Sequence, residues 1–260
     1  MPVVLPPSGN LLLGSLAEED YGLLSPHLER VPFAVGDTLS TAGAPIEKLC
    51  FPEGGVASMH DVLAGGERIG IGLLGREGFS GWQILLDSQV AQHEIVVALP
   101  GEAALQIDPD RVLEACDRSP RLRASLLRFV HILFTQMGRT IVSNLHDPTE
   151  RRLARWLLMN HDRIDGDVVA VTHQQLGIML GVRRATVTDS LHVLEGKALI
   201  RATRGQIGVR DREGLKQMAG ETYGAAESEY RNLVAPFGKD SVAGDGARAS
   251  ATGLGRHPHL

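Results

Sequence analysis

The chain has 260 residues, 43% hydrophobic and 22% charged, with a formal net charge of −5; this is the balance of a packed globular protein and excludes a disordered chain. Its length suits two domains of roughly 100–150 residues each, and two cysteines, Cys50 and Cys116, exclude a disulfide framework or a four-cysteine metal site. No apolar run nears the roughly 18 residues of a membrane helix, and Met1 to Leu16 lacks the basic and apolar regions of a secretory signal, so a cytoplasmic protein with no membrane partner is expected.

Leu16 to Glu29 reads as a short helix, with Glu18, Glu19 and Asp20 favouring its N-terminal end. From Phe33 to Ile107 the texture changes: the window Gly36 to Gly101 holds 12 glycines, and short apolar runs alternate with turn signals. Val56 to Val62, Ile69 to Leu73, Ile95 to Leu99 and Ala103 to Ile107 are predicted strands. Ile69, Ile71 and Leu73 recur at period two, as do Ala103, Leu105 and Ile107. This is the pattern of half-buried strands in a β sandwich or roll. After Pro109 the period turns helical. A short helix from Asp110 to Ala115 precedes a long one from Leu122 to Leu145. The long helix carries Leu126, Val130, Leu133, Met137, Ile141 and Asn144 on one narrow stripe, the width of a helix–helix seam. A dimer interface is the expected use of that stripe, with Gly138 and Thr140 allowing close approach; packing on the chain's own β domain is the alternative.

His146 to Glu150 marks a break and a new start, with Asp147 as N-cap and Pro148 at the first helical position. In the helix that follows, Leu153, Trp156 and Leu157 are predicted to face inward and the arginines outward. Val168 to Val171 is a short strand. Thr172-His-Gln-Gln175 is a capping box that opens a helix with Leu176, Met179 and Leu180 inward, Gly177 at closest approach and Gly181 at its end. A second helix from about Arg184 to Glu195 has Val187, Leu191 and Leu194 inward and stops at Gly196. Two strands around Arg204-Gly205 complete a winged helix-turn-helix. The segment from 224 to 260 is expected to be a disordered tail, in which His257 and His259 are incidental.

A helix that reads the major groove shows short polar and basic side chains outward. Ala185, Thr188, Asp189 and His192 lie opposite Val187 at 100° per residue, with Arg183 and Arg184 at the N-terminal end, where base edges are met. Arginine can grip guanine with two hydrogen bonds, Asp189 can accept from cytosine, and Thr186 and Thr188 can reach phosphate or a thymine methyl. His173, Gln174, Arg201 and Arg204 are placed for phosphates, which fix register rather than sequence. Charge agrees: residues 1–146 carry 10 Lys/Arg against 17 Asp/Glu, residues 147–216 carry 12 against 9, so a polyanion would dock on the second half. No Gly-x-Ser-x-Gly elbow, phosphate loop or metal-spaced His/Glu set appears, and an enzyme is not expected. The other class of function left open is a sensory or scaffold protein whose winged helix binds protein.

Cys50-Phe-Pro-Glu-Gly-Gly-Val56, Gly75-Arg-Glu-Gly-Phe-Ser-Gly81, Glu150-Arg-Arg-Leu-Ala-Arg-Trp-Leu-Leu158 and Leu180-Gly-Val-Arg-Arg-Ala-Thr-Val-Thr188, in this order, resemble the Crp/Fnr family of bacterial transcription regulators over about Leu11 to Tyr223. The resemblance implies an α+β chain of four parts. These are a jelly-roll-like, cyclic-nucleotide-binding-like β-roll over 11–121, a dimerisation helix over 122–145, a winged helix-turn-helix over 146–223 and the tail. It implies a homodimer on a two-fold symmetric double-stranded DNA operator, with RNA polymerase as a further partner. An effector pocket would involve Gly75, Glu77, Gly78, Gly81, His93 and Glu94. The family's phosphate-binding Arg-Ser/Thr pair is replaced by Gln92-His93-Glu94, and a lost charge-assisted bond costs about 1.5–3 kcal/mol, so cyclic AMP is not the expected effector. Two cysteines do not make the iron–sulfur cluster of the oxygen-sensing members. His60 and His93 are the histidines a haem member would need, but ordinary core or surface roles suit them better, and no cofactor is expected. Of the family's recognition pattern Arg-Glu-x-x-x-Arg only Arg184 carries over, so the operator should differ from that of the cyclic-AMP receptor protein.

Overall fold

The computed structural model describes residues 8–240. Two short helices, α1 (Leu11–Gly14) and α2 (Glu18–Leu24), lead into seven strands: β1 (Glu29–Val31), β2 (Thr38–Ser40), β3 (Leu49–Pro52), β4 (Val56–Val62), β5 (Arg68–Leu74), β6 (Glu94–Leu99) and β7 (Ala104–Ile107). They form two antiparallel sheets in the orders β1-β7-β3 and β2-β6-β4-β5. Alternation along each strand sends Met59, Ile95 and Val97 from one sheet, and Leu49, Phe51 and Ile107 from the other, into a shared core. The helix expected over Leu16 to Glu29 is shorter, because its end becomes a 3-10 turn at Ser25–His27 and Glu29 already pairs in β1.

Helices α3 (Pro109–Arg118) and α4 (Pro120–His146) close the roll. The α4 stripe read as a dimer seam needs correction. Leu126, Val130 and Leu133 are fully buried against the chain's own roll, together with Phe129 and Ile132, and Met137 is partly buried there. Only Ile141 and Asn144 of that set are exposed. The free apolar face of α4 lies beside it: Phe134 is 48%, Ile141 60% and Leu145 75% exposed, with exposed Gly138 between them.

The second domain runs α5 (Thr149–His161), β8 (Val168–Val169), α6 (His173–Leu180), α7 (Arg184–Gly196), β9 (Ile200–Thr203), β10 (Gln206–Val209) and α8 (Arg212–Ala219), with strand order β8-β10-β9. Pro148, not Asp147, precedes the first helical residue of α5. Asp147 instead caps the end of α4, and its carboxylate accepts the hydroxyls of Ser143 and Thr222. Nor do all the α5 arginines face water. Arg155 is buried and donates to the carbonyls of Thr222 (2.8 Å) and Gln136 (3.3 Å); burial brings its pKa down to about 10.

The expected tail is in part folded. Residues 225–233 form α9 (Ala225–Leu233), whose Tyr230 is buried in the roll core and packs in a tilted contact on Phe237, ring centroids 5.0 Å apart. Gly- and Ala-rich composition hid this helix, because its anchor is a single aromatic. The rest of that expectation, with His257 and His259, lies outside the described residues.

The two domains are docked by buried polar bonds. Glu77, in the turn after β5, meets Arg163, just beyond α5, at 2.8 Å with both side chains almost wholly buried. Arg163 also donates to the Met159 carbonyl (2.7 Å) and lies 5.2 Å over the Phe237 ring. Burial acts to depress the Arg163 pKa, and Glu77, then Glu227 and Asp162, more than offset it, leaving it raised. On α4, Gln136 accepts the Leu73 amide (2.7 Å) and donates to the Leu73 carbonyl (3.2 Å). It thereby supplies the missing neighbour of the edge strand β5. A register shift between Met59 and His60 opposes them to Gly72 and Gly70. Gly70 thus turns to α6, where a Cβ would sit 2.6 Å from the Met179 carbonyl oxygen, and Gly72 turns to Gln136.

Replacing Arg163 by Met strands a carboxylate in a water-poor site. Arg163→Met is expected to lose about 3–5 kcal/mol of stability, while the double variant Glu77→Met/Arg163→Met recovers most of that loss, both read from urea unfolding midpoints.

Candidate nucleic-acid interface

The helix-turn-helix forms for local reasons. Thr172 Oγ1 accepts the Gln175 amide (3.2 Å) and Gln175 Oε1 accepts the Thr172 amide (2.9 Å), a closed capping box. At Gly177 a Cβ would stand 2.9 Å from the Val182 carbonyl oxygen, so the turn packs directly on the α6 backbone. Gly181 takes φ +60 at the C-terminus. Val187, Leu191 and Leu194 are buried as their period requires, and Ser190 joins them. At the far end of α7, Gly196 is still helical, and Ala198, at φ +57, takes the left-handed conformation instead.

The face opposite carries the expected side chains. Arg183, Arg184, Ala185, Asp189 and His192 are exposed, and Thr186 and Thr188 are half-buried. Arg183 occupies the N-cap position without a side-chain cap bond, so its guanidinium is free of local duty. Gln174, Arg201 and Arg204 are exposed, the last at the tip of the β9–β10 hairpin beside Gly205 at φ +74. His173 is tied differently: its Nδ1 lies 3.0 Å from Thr188 Oγ1, which joins the two helices. Thr188 also donates to the Arg184 carbonyl (3.1 Å). Glu195 accepts the Ala202 amide (2.7 Å), fixing the wing to the recognition helix.

Among the described residues, Arg183, Arg184, Arg201 and Arg204 have no carboxylate partner, whereas Arg30, Arg68, Arg111 and Arg121 of the first domain each have one. Unpaired guanidinium groups on one face leave a positive field suited to phosphate. Arg152, which sequence reasoning left as a surface residue, is a supporting member. It donates to the Leu180 carbonyl at the end of α6 and to Asn144 Oδ1 (3.1 Å) at the end of α4. Burial lowers its pKa, opposed by Asp147. A cation on the last carbonyls of α6 also complements the helix dipole. Arg-Arg in sequence gave no sign that only one of the pair would turn under α6.

The expected effector pocket does not assemble. Gly75 and Glu77 close on each other (3.1 Å), and Glu77 is committed to Arg163. Gly78 abuts the Phe129 ring, which packs at 5.3 Å on Phe79, itself stacked at 5.0 Å on Phe51. Gly81 begins a 3-10 turn at φ +82 against Ile46 and Leu49. Glu94 begins β6 and His93 precedes it. Burial lowers the His93 pKa, opposed by Asp61. Glu94 is not an uncompensated charge, because Arg68 of β5 reaches across β4 to it (2.8 Å). The Cys50 and Cys116 thiols are buried and free, and burial pushes them up to about 12 and about 11. Among the described residues no group of three or more His, Cys, Asp or Glu gathers to hold a metal, and no helix is long and apolar enough to cross a membrane.

Residues 151–218 match the family model of the Crp-like helix-turn-helix domain. No curated protein matches the chain. Among solved structures, a CRP-family transcriptional regulator from Thermus thermophilus is 21% identical, covering 76% of this chain and 99% of its own, with a TM-score of 0.59. A Crp/Fnr-family regulator from Eubacterium rectale is 17% identical, covering 80% and 97%, with a TM-score of 0.62. The c-di-GMP responsive global regulator CLP of Xanthomonas campestris is 15% identical, covering 74% and 99%, with a TM-score of 0.60. At these identities the likeness is one of fold.

Thr172→Ala opens the capping box. It is expected to cost about 1 kcal/mol, seen as a lower unfolding midpoint.

Proposed function

From a chain with the Crp/Fnr regulator fold whose residues 151–218 belong to the Crp-like helix-turn-helix domain family, we propose a sequence-specific DNA-binding transcription regulator that acts as a homodimer. The observation that carries this reading is the outer face of α7: an apolar-anchored helix headed by two exposed, unpaired arginines. In the major groove Arg183 and Arg184 would meet base edges, with Ala185, Thr186, Thr188, Asp189 and His192 behind them. Gln174, Arg201 and Arg204 would hold phosphates. His173 acts through Thr188 rather than on DNA.

Dimerisation would use the free face of α4, where Phe134, Gly138, Ile141 and Leu145 recur at spacings of four, three and four. This is a coiled-coil repeat, and the two-fold axis it creates would set half-sites about one helical turn apart. RNA polymerase, contacted from the DNA-bound dimer in the cytoplasm, belongs to the same reading. The β-roll would bias the posture of the DNA-binding pair through the buried bonds at Glu77, Gln136 and Arg155.

Genomic fragments selected on the protein provide the operator for the test. Arg183→Ala/Arg184→Ala is expected to weaken operator binding roughly 30-fold or more, at about 1–3 kcal/mol per base-reading arginine. Secondary structure should not change, since both side chains are exposed. Operator binding that is independent of salt, or unaltered in the double variant, would instead favour a protein-binding winged helix.

Ile141→Glu/Leu145→Glu places like charges on the proposed seam. In sedimentation the wild type is expected at twice the chain mass and the variant at the chain mass, with operator affinity falling in step.

A further inference from the structure

Residues 225–240 lie beyond residue 218, where the match to the helix-turn-helix family model ends, and they hold on to both domains. At their start the hold is apolar. Helix α9 lies along α4, and its Ala226 and Tyr230 are buried as members of the roll core. An aromatic ring withdrawn this completely from water is costly to pull out again.

At their end the hold is polar and is made on the winged-helix domain. Phe237 is buried, and its ring centroid lies 5.2 Å from the Arg163 guanidinium that it covers. Gly238 takes φ +77, and a Cβ there would stand 2.7 Å from Asp162 Oδ1. Glycine thus lets the backbone lie directly on the residue that ends α5. The Lys239 amide donates to Asp162 Oδ1 (3.3 Å), and the Lys239 ammonium donates to the Gly166 carbonyl (3.0 Å). Asp240 accepts from Arg212 (3.1 Å) and Lys216 (2.7 Å) of α8. Burial acts to raise the Asp240 pKa, and Lys216 and Arg212 more than offset it, leaving it lowered.

The two ends differ in what water can do to them. Tyr230 is sealed in the core, whereas the side chains of Asp240 and Lys216 are 34% and 26% exposed, within reach of solvent and of screening ions. Val234-Ala235-Pro236 joins the two ends outside the helix. We propose that residues 225–240 form a strap that closes the winged-helix domain on the roll, and that it opens from its 237–240 end while α9 stays seated. Closed, it covers Arg163 and holds the end of α5. Open, it leaves the domains joined by the bonds at Glu77 and Gln136 and by the α6–β5 contact, and the winged-helix domain gains freedom about Asp147-Pro148 between α4 and α5. Segments held by a few partly exposed polar bonds are the ones that open locally without global unfolding. The strap stands independently of the DNA-binding reading.

The test is amide hydrogen exchange of the full chain, read by mass spectrometry over 237–240 and over 159–164, where the amides of Asp162, Arg163 and Ile164 are bonded to the last carbonyls of α5. Both stretches are expected to be protected in the wild type. Asp240→Lys sets a like charge beside Arg212 and Lys216. It is expected to speed exchange about fivefold or more over 237–240, and measurably over 159–164, with β3 and β7 unchanged. Lys216→Glu/Asp240→Lys exchanges the two charges and is expected to return much of the protection, which a mere disturbance of the surface would not do. Wild-type exchange over 237–240 at the rate of an unstructured peptide, unchanged exchange in Asp240→Lys, loosening confined to 237–240, or a double variant no better protected than Asp240→Lys each overturns the strap.

Discussion

Two charges withdrawn from water, Glu77 and Arg163, govern how the molecule is put together. Burying an ion pair carries a desolvation cost that the pair alone rarely repays. Here the guanidinium is also bonded to the Met159 carbonyl and covered by the Phe237 ring. The carboxylate also accepts the Gly75 amide, which shapes the turn it sits in. Each of these partners comes from a different part of the chain, so the pair is tolerable only when the roll, the end of α5 and the segment after α9 are all in place. An apolar contact would accept many relative positions of two domains; this one accepts a single geometry.

The surface follows the opposite rule. On the first domain several arginines are matched with carboxylates across strands and turns, and the excess of carboxylates leaves that surface acidic. On the recognition helix and wing the arginines are left unmatched, with Asp189 the one exposed carboxylate on the outer face of the helix, while other carboxylates around that domain are paired. Asp162 accepts from Arg212 (2.6 Å) and from the Tyr223 hydroxyl (2.7 Å), while Asp240 takes Arg212 and Lys216. A domain whose 12 Lys/Arg barely outnumber its 9 Asp/Glu over residues 147–216 thereby shows a basic face, because the distribution of charge, not its sum, sets the field a polyanion meets.

What could be read from sequence was what is local. Thr172 and Gln175, Gly177, Gly181 and the Val187–Leu191–Leu194 stripe bond or pack within a few residues of themselves, and all fall as expected. The α4 stripe misled because two adjacent faces of that helix are apolar. Periodicity finds a face but does not say what covers it, and the roll claims Leu126, Val130 and Leu133 while leaving Phe134, Ile141 and Leu145. Glu77 was read as a pocket residue because its partner lies 86 positions away. The partner of Glu94, Arg68, lies across a strand from it and 26 positions away, beyond the reach of a local reading. Arg155 was read as solvated because a helical wheel assigns faces, and no wheel reveals that the carbonyls of Gln136 and Thr222 wait on the inner one.

The same long-range bonds connect the roll to α7. Gln136 pairs the edge of β5 and receives Arg155 of α5; α5 carries Arg152, which holds the end of α6; α6 is joined through His173 and Thr188 to α7. Each link is a directional hydrogen bond rather than a sliding apolar contact, so a displacement at β5 cannot be absorbed by repacking alone. Gly70 removes the one side chain that would hold α6 off the sheet, and the glycine's lack of a Cβ is thus part of the connection.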